Sequence, residues 1–341
     1  MKRKLLYLLG YTIPSLTLYS LLSEGLFTYT ALIGTFFVLP IIEVILSTDK
    51  NNLKADEEES FLKSSYFDFL VYSMVPLQIF LVILFCHRIN SHHYETYELI
   101  GLISALGISC GVIGINVAHE LGHRVKRYEQ IMAKILLTTS LYSHFFVEHN
   151  KGHHRHVSTP LDPASAQLGD NLYSFWPKSV WGSFISALKF ERRKKWYKNE
   201  VVIWKIIELS IILIIAYIFG PVVSLYFIAA AVFGFLLLET INYIEHYGLR
   251  RKKLENGRFE RVTPLHSWNS DHLISRFVLF DLSRHSDHHA NPSRKYQVLR
   301  TFDESPQLPS GYPSMVLLAL VPFLWFKKMD KLVLEINNSK G

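Results

Sequence analysis

Leu99-Ile-Gly-Leu-Ile-Ser-Ala-Leu-Gly-Ile-Ser-Cys-Gly-Val-Ile-Gly-Ile-Asn-Val-Ala118 runs without a break into His119-Glu-Leu-Gly-His123. The apolar part carries no charged side chain and has the roughly 20 residues that a helix needs to cross the hydrocarbon of a bilayer. The polar part then sets two imidazoles four residues apart, one turn above each other on one helix face. A membrane crossing that ends in a pair of metal-ligand side chains is the pattern from which the rest of the chain is read.

Five further runs have the same character: Leu5–Leu22, Leu26–Leu46, Phe67–Cys86, Ile203–Phe219 and Val222–Ile241. Pro14, Pro40 and Pro76 lie inside them, which membrane helices tolerate better than soluble ones. Six such blocks argue for an all-α membrane protein with six transmembrane helices, against a set of buried soluble helices. The basic start and the apolar run after it show no small-residue cleavage site, so Leu5–Leu22 reads as a retained span rather than a signal peptide. Residues 128–147 read as a helix in or under the membrane. Met315–Phe326 is too short to cross and reads as a re-entrant or interfacial piece. Asp56–Glu59 reads as a solvated loop.

With the N-terminus inside, the inner segments 1–4, 47–66, 119–202 and 242–341 hold 3, 3, 13 and 15 of the 36 Lys and Arg. That is a strong positive-inside bias. It accounts for the net charge of +7 without nucleic acid, and no basic stripe with interleaved aromatics is present. The reading is a single integral-membrane domain over 1–341 in the cytoplasmic membrane. Its spans are joined to a cytoplasmic, histidine-rich cap over about 119–202 and 242–330. Two Cys, Cys86 and Cys110, exclude a disulfide framework, a zinc ribbon and a Cys-bound iron site.

The chain has 16 His, and nine fall in four clusters on the inner side: His119 and His123; His149, His153 and His154; His246; and His285, His288 and His289. By helical spacing, His119 and His123 can reach one metal. His149 with His153, and His285 with His289, repeat the geometry. A zinc takes about four ligands, so nine imidazoles suit two ions; ligand type alone leaves Zn, Cu, Fe and Ni open. Glu120, Glu148, Glu245 and Asp287 each flank a cluster. They either accept the free ring N–H of a ligand or form surface ion pairs with Arg124, Arg155 and Arg284. His87, His92 and His93 fall on the outer loop. His144, His156, His266 and His272 read as packing or hydrogen-bonding residues.

His119-Glu120-Leu-Gly-His123 is also the H-E-x-x-H pattern of a membrane-embedded zinc protease, in which the Glu activates water. That reading leaves seven clustered His unused. A metal transporter would place its ligands near the mid-plane of broken helices, whereas these gather at one boundary.

The boxes H-x-x-x-H, H-x-x-x-H-H and H-x-x-H-H resemble those of membrane fatty-acid desaturases and hydroxylases. His119–Arg124, Glu148–His154, Asn242–Leu249 and Arg284–Ala290 are similar to the motifs of alkane 1-monooxygenases, as are Thr159–Ser165, His266–Asn269 and Leu308–Tyr312. Arg124, Asp170 and Ser283 depart from that pattern. The resemblance covers about residues 99–329. It implies two iron ions held by the nine His, and O2-dependent hydroxylation of n-alkanes to 1-alkanols. It also implies electrons from a separate rubredoxin, reduced by an NADH-dependent rubredoxin reductase. Oxidation of aromatic methyl groups or fatty acyl chains is the neighbouring expectation within the same superfamily.

Overall fold

The computed structural model describes residues 2–46 and 48–339. Among them the regular structure is helical apart from isolated bridges such as Lys253 with Phe259. Six helices are long and apolar enough to cross a membrane: α1 (Arg3–Leu22), α2 (Gly25–Ile45), α3 (Ser65–Ser91), α4 (Thr96–Gly122), α8 (Glu200–Phe219) and α9 (Pro221–His246). Each observed helix contains or nearly contains its sequence-derived span. The ends extend by a few residues because polar termini can continue a helix past the hydrocarbon.

α4 is the most buried of the six and packs between α9, α1 and α2. Small residues permit this. Gly107 lies under the Phe233 ring, and Gly111 and Gly234 face each other so closely that a Cβ on Gly234 would overlap Cys110 and the Gly107 carbonyl. Without a hydrophobic drive between helices in lipid, such close backbone approach is what holds spans together. Six residues of α4, Cys110–Ile115, form a π-turn. The Ser140 hydroxyl donates to the Cys110 carbonyl there at 3.0 Å.

The cap is built from shorter helices: α5 (Arg127–Thr139), α6 (residues 145–156), α7 (Leu172–Glu191), α10 (Leu273–Val278), α11 (His285–Ala290), α12 (Tyr312–Ala319) and α13 (Pro322–Ser339). Two expectations are corrected here. The helix foreseen over 128–147 is two, broken at Leu141, whose φ is +52°. The piece at Met315–Phe326 falls on the end of α12 and the start of α13, which part at Pro322 because it lacks the N–H needed to continue α12. Asp56–Glu59 is not a loop but part of the helix Ala55–Lys63. Asp56, Glu57 and Glu58 sit in its first turn, where acidic groups complement the helix dipole, and the Glu57 side chain accepts the Lys54 N–H at 3.0 Å.

A buried ionic cluster ties α1 to the segment before α11. Arg276 Nε donates to Asp281 Oδ1 at 2.7 Å and its Nη1 to Asp49 Oδ2 at 2.8 Å, while the Tyr7 hydroxyl donates to Asp281. Arg284 donates to Asp271 and to the carbonyls of Asp49, Asn51 and Leu299. These contacts fix the chain one residue before His285.

Candidate metal centre

Nine imidazoles from four elements meet where the spans end. α4 brings His119 and His123, α6 brings His149, His153 and His154, α9 brings His246, and α11 brings His285, His288 and His289. They form two groups. His119, His123, His149, His154 and His288 make the first; His153, His246, His285 and His289 make the second. Within each group, one ring nitrogen per residue lies within 4.8 Å of all the others.

The closest approaches are between ring nitrogens. His149 Nε2 is 3.0 Å from His123 Nε2 and 2.9 Å from His154 Nε2. His153 Nε2 is 3.2 Å from His289 Nε2, and His285 Nε2 is 3.3 Å from His246 Nε2. Four nitrogens tetrahedrally placed at 2.0–2.1 Å from one ion are about 3.4 Å apart, so both groups have the dimensions of a metal cage. His119 Nε2 is buried with no hydrogen-bond partner, as a nitrogen kept for another ligand would be.

Electrostatics favours the metal-binding form. Burial drives His149, His154, His285, His288 and His289 well below the usual histidine pKa, and the neighbouring rings push in the same direction. His123 is lowered to about 3 by burial and by His153. Neutral imidazoles with free lone pairs result. His153 is the exception. Burial lowers it too, but the Asp162 carboxylate outweighs this and raises it.

His149 and His153, expected on one face, fall in different groups, while His149 and His154 share one. The reason is local: His149–His153 forms a π-turn. In a π-turn the repeat widens from i+4 to i+5, so residues five apart align. His119 with His123, and His285 with His289, keep the ordinary α spacing and share a group.

The four flanking acids differ in their contacts. Glu120 accepts from Arg124 Nε at 2.8 Å, the ion-pair alternative of the sequence reading. Asp287 accepts from Asn291, Arg294 and the Arg300 N–H. Glu148 lies against Gly152, and burial first, then Asp162, raises it to about 8. Glu245 faces the rings: it accepts from the Tyr312 hydroxyl at 2.6 Å, and its other oxygen is 3.1 Å from His285 Nε2.

Two residues in this shell were not singled out from sequence. Asp162 Oδ2 is 2.9 Å from His153 Nδ1, and the turn at Thr159-Pro160 carries it back under the ring. Its presence in a Thr-Pro-Leu-Asp-Pro-Ala-Ser run nine residues after a box histidine was the available signal. Tyr312 reaches Glu245 from the start of α12, and its place at the end of the Leu308–Tyr312 motif was the available signal. Of the other His, His87, His92 and His93 are exposed at the far end of α3 and α4. The length of α4, about 40 Å at 1.5 Å per residue, separates them from the cluster. His266 pairs with Glu260 and Thr263, and His272 with Ser270.

An apolar cavity of about 100 Å³ adjoins the rings. His119, His149, His285, Asn242, Glu245 and Tyr312 line one end, and Ile13, Leu39, Val112, Leu237 and Val278 the other.

Membrane-length helices beneath a cluster of nine imidazoles define the histidine-box class of membrane enzymes. Residues 96–319 match the family described as fatty acid desaturase. The chain is 41% identical over 310 residues to the alkane 1-monooxygenase of Acinetobacter baylyi, covering 87% of this chain and 75% of that one. With the alkane 1-monooxygenase of Pseudomonas putida the identity is 38% over 323 residues, covering 92% and 80%. With the xylene/toluene monooxygenase hydroxylase component of Pseudomonas putida it is 30% over 335 residues, covering 94% and 87%. The chain belongs to the fatty acid desaturase family, in its alkane 1-monooxygenase group.

Proposed function

We propose that this protein is a di-iron alkane 1-monooxygenase. It joins O2, two electrons and two protons to a terminal methyl group, giving a primary alcohol and water. The observation that carries the reading is that two cages of ring nitrogens adjoin an apolar cavity. His119, His123, His149, His154 and His288 would hold one iron, and His153, His246, His285 and His289 the other. Bound there, the irons supply the O2 reduction and C–H oxidation that no side chain performs.

The chain's own residues do the rest. Asp162 holds His153 with Nδ1 as the donor, leaving Nε2 for the ion. Glu245, fixed by Tyr312, holds a carboxyl oxygen 3.1 Å from His285 Nε2 and so helps set the orientation of that ring. The apolar wall binds a substrate without polar groups, each buried CH2 adding roughly 0.8 kcal/mol, and it keeps water from the reacting carbon. Glu120, Glu148 and Asp287 support the ligand-bearing helices from outside.

The reading extends to one integral-membrane domain over 1–341 in the cytoplasmic membrane, with its cap, about 119–202 and 242–330, on the cytoplasmic side. The bias of basic residues supports this orientation. Electrons come from rubredoxin, reduced in turn by NADH through its reductase. The exposed basic run Arg192–Lys195, with exposed Arg250, Lys252 and Lys253 around half-buried Arg251, suits an acidic donor. The xylene/toluene relative favours a second reading, oxidation of an aromatic methyl group. The test is metal analysis of purified protein together with product analysis on octane, hexadecane and xylene, using rubredoxin and its reductase. Two irons per chain and 1-octanol are expected. Zinc in place of iron, with no alcohol from any substrate, would overturn the proposal.

A further inference from the structure

Glu239 is a carboxyl inside a membrane span. It lies on α9 about two turns before His246 and is buried. Ionisable groups in such segments are costly and rare, and they mark ion and proton paths. Glu208 of α8 is paired with Lys205, whereas Glu239 has no cation partner of this kind among the described residues. Three polar groups face it instead. The Tyr142 hydroxyl is 2.5 Å from Oε1, and the Ser179 hydroxyl at 2.5 Å and the Asn242 amide at 3.2 Å share Oε2. A hydroxyl donates to a carboxylate and accepts from a carboxylic acid equally well. The same partners therefore satisfy Glu239 with or without its proton, which a proton store requires and a plain helix contact does not.

The groups on either side extend this contact into a line. Toward the rings, Asn242 is bonded to Glu239 and lines the cavity with His119, His149 and His285. Away from them, the Tyr142 ring meets the His144 ring edge-on, with centroids 4.3 Å apart. Both His144 nitrogens and the Ser143 hydroxyl are buried without a hydrogen-bond partner, and buried polar atoms of this kind are met by internal water. Burial first, and then Lys205, hold His144 well below the usual histidine pKa. Its ring is neutral and offers one donor and one acceptor. The Ser143 N–H donates to Glu208 at 2.7 Å, and Glu208 pairs with Lys205, whose side chain is 30% exposed near the start of α8.

We propose that Glu239 is a proton store for the reaction, filled from the Lys205 end through His144 and Tyr142 and emptied past Asn242 into the cavity. The inference rests on the monooxygenase reading above. Each turnover takes up O2, two electrons and two protons and releases an alcohol and one water. Glu239 supplies one of the two protons: its O–H bond breaks as an O–H bond of that water forms. The other proton and both electrons reach the centre separately. Glu239 is left as a carboxylate to which Tyr142, Ser179 and Asn242 all donate, and a proton from solvent restores it. It touches neither the substrate nor the rings and acts through Asn242.

The test uses iron-loaded protein in phospholipid vesicles. Infrared spectra in H2O and D2O at neutral pH should show a carboxylic-acid C=O band that shifts on deuteration and that Glu239→Gln removes. Deuterium should enter that group more slowly in Tyr142→Phe and in His144→Phe. With octane and the electron donor, Glu239→Gln should lower kcat about 10²-fold, the lower end of what a positioned proton donor contributes. Its KM and its iron content should stay at the parent values, which also reports that the variant has folded. No such band in the parent protein, equal exchange in parent and both ring variants, or an unchanged kcat in Glu239→Gln would overturn the proton store alone. A parent protein that shows the band and its exchange but oxidises no substrate would overturn the monooxygenase reading, and with it the use assigned to the proton.

Discussion

Asp162→Asn exchanges one oxygen for NH2 and tests the proposed division of the histidines into two cages. The carboxylate accepts three hydrogen bonds: Oδ2 takes His153 Nδ1 at 2.9 Å and the Ser165 hydroxyl at 2.5 Å, and Oδ1 takes the Ala164 N–H at 3.1 Å. An amide offers one oxygen in place of two. Turned toward His153, it sets its NH2 against the Ala164 N–H; turned the other way, it sets NH2 against the ring N–H. Either arrangement leaves a buried donor unpaired, at a cost of about 1–3 kcal/mol. The ring escapes only by moving its proton to Nε2, the atom that lies 3.2 Å from His289 Nε2 in the second group. Losing such a supporting carboxylate typically costs 10–100-fold in metal affinity, or about 1.4–2.8 kcal/mol, so two independent estimates agree. The assay is iron retention against rising chelator. The variant should lose one of two irons at roughly 10–100-fold lower chelator and keep the other with near-parent affinity. Coincident retention curves for variant and parent, or simultaneous loss of both irons, would refute the reasoning.

Glu245→Gln replaces the carboxyl that faces His285 and should reduce turnover about tenfold or more, as measured by alcohol formation per iron. Glu120→Gln should act on thermal stability instead, because Arg124 keeps Asp68 at 2.9 Å; equal effects of the two on turnover would contradict this separation. Asp281→Ala breaks a buried ion pair and should cost about 3–5 kcal/mol, read by thermal unfolding in detergent. Burial raises the Asp281 pKa, but Arg276, Arg284 and Arg3 outweigh it, so the folded value is depressed. Its contribution is therefore complete above the unfolded carboxylate value near 3.9 and declines as pH falls through the lower folded value. The stability gap between parent and variant should be flat at neutral pH and close only in acid. Charge reversal across Arg250–Lys253 should raise the apparent KM for rubredoxin at low ionic strength, with the difference fading at 1 M salt, where screening acts within about 3 Å; a KM unaffected at low salt counts against docking there.

The spans were legible because hydrocarbon demands length and apolarity together, and Leu99–Ala118 meets both without one charge. The histidine boxes were legible because nine imidazoles beside membrane boundaries have few other uses. Their partition was not. Spacing alone paired His149 with His153, since nothing in His-Asn-Lys-Gly-His-His announces a π-turn; only the folded segment, packed against α7 and α5, reveals it. Asp162 was hidden for a related reason: its role depends on a turn that brings a distant carboxylate under a ring, and the sequence shows only the turn residues. Asp56–Glu59 was misread because acidic residues suit both a solvated loop and a helix start, and the decision lay with the bond from Glu57 back to Lys54.

A π-turn is an α-helix with one residue too many, and here the surplus falls between two neighbouring histidines. Ordinary phase over the same residues would set the first imidazole of the box beside the second, four positions on, and turn the third away. The division of one box between two groups of imidazoles thus depends on the width of a single backbone turn, a difference that no change of side-chain chemistry could reproduce.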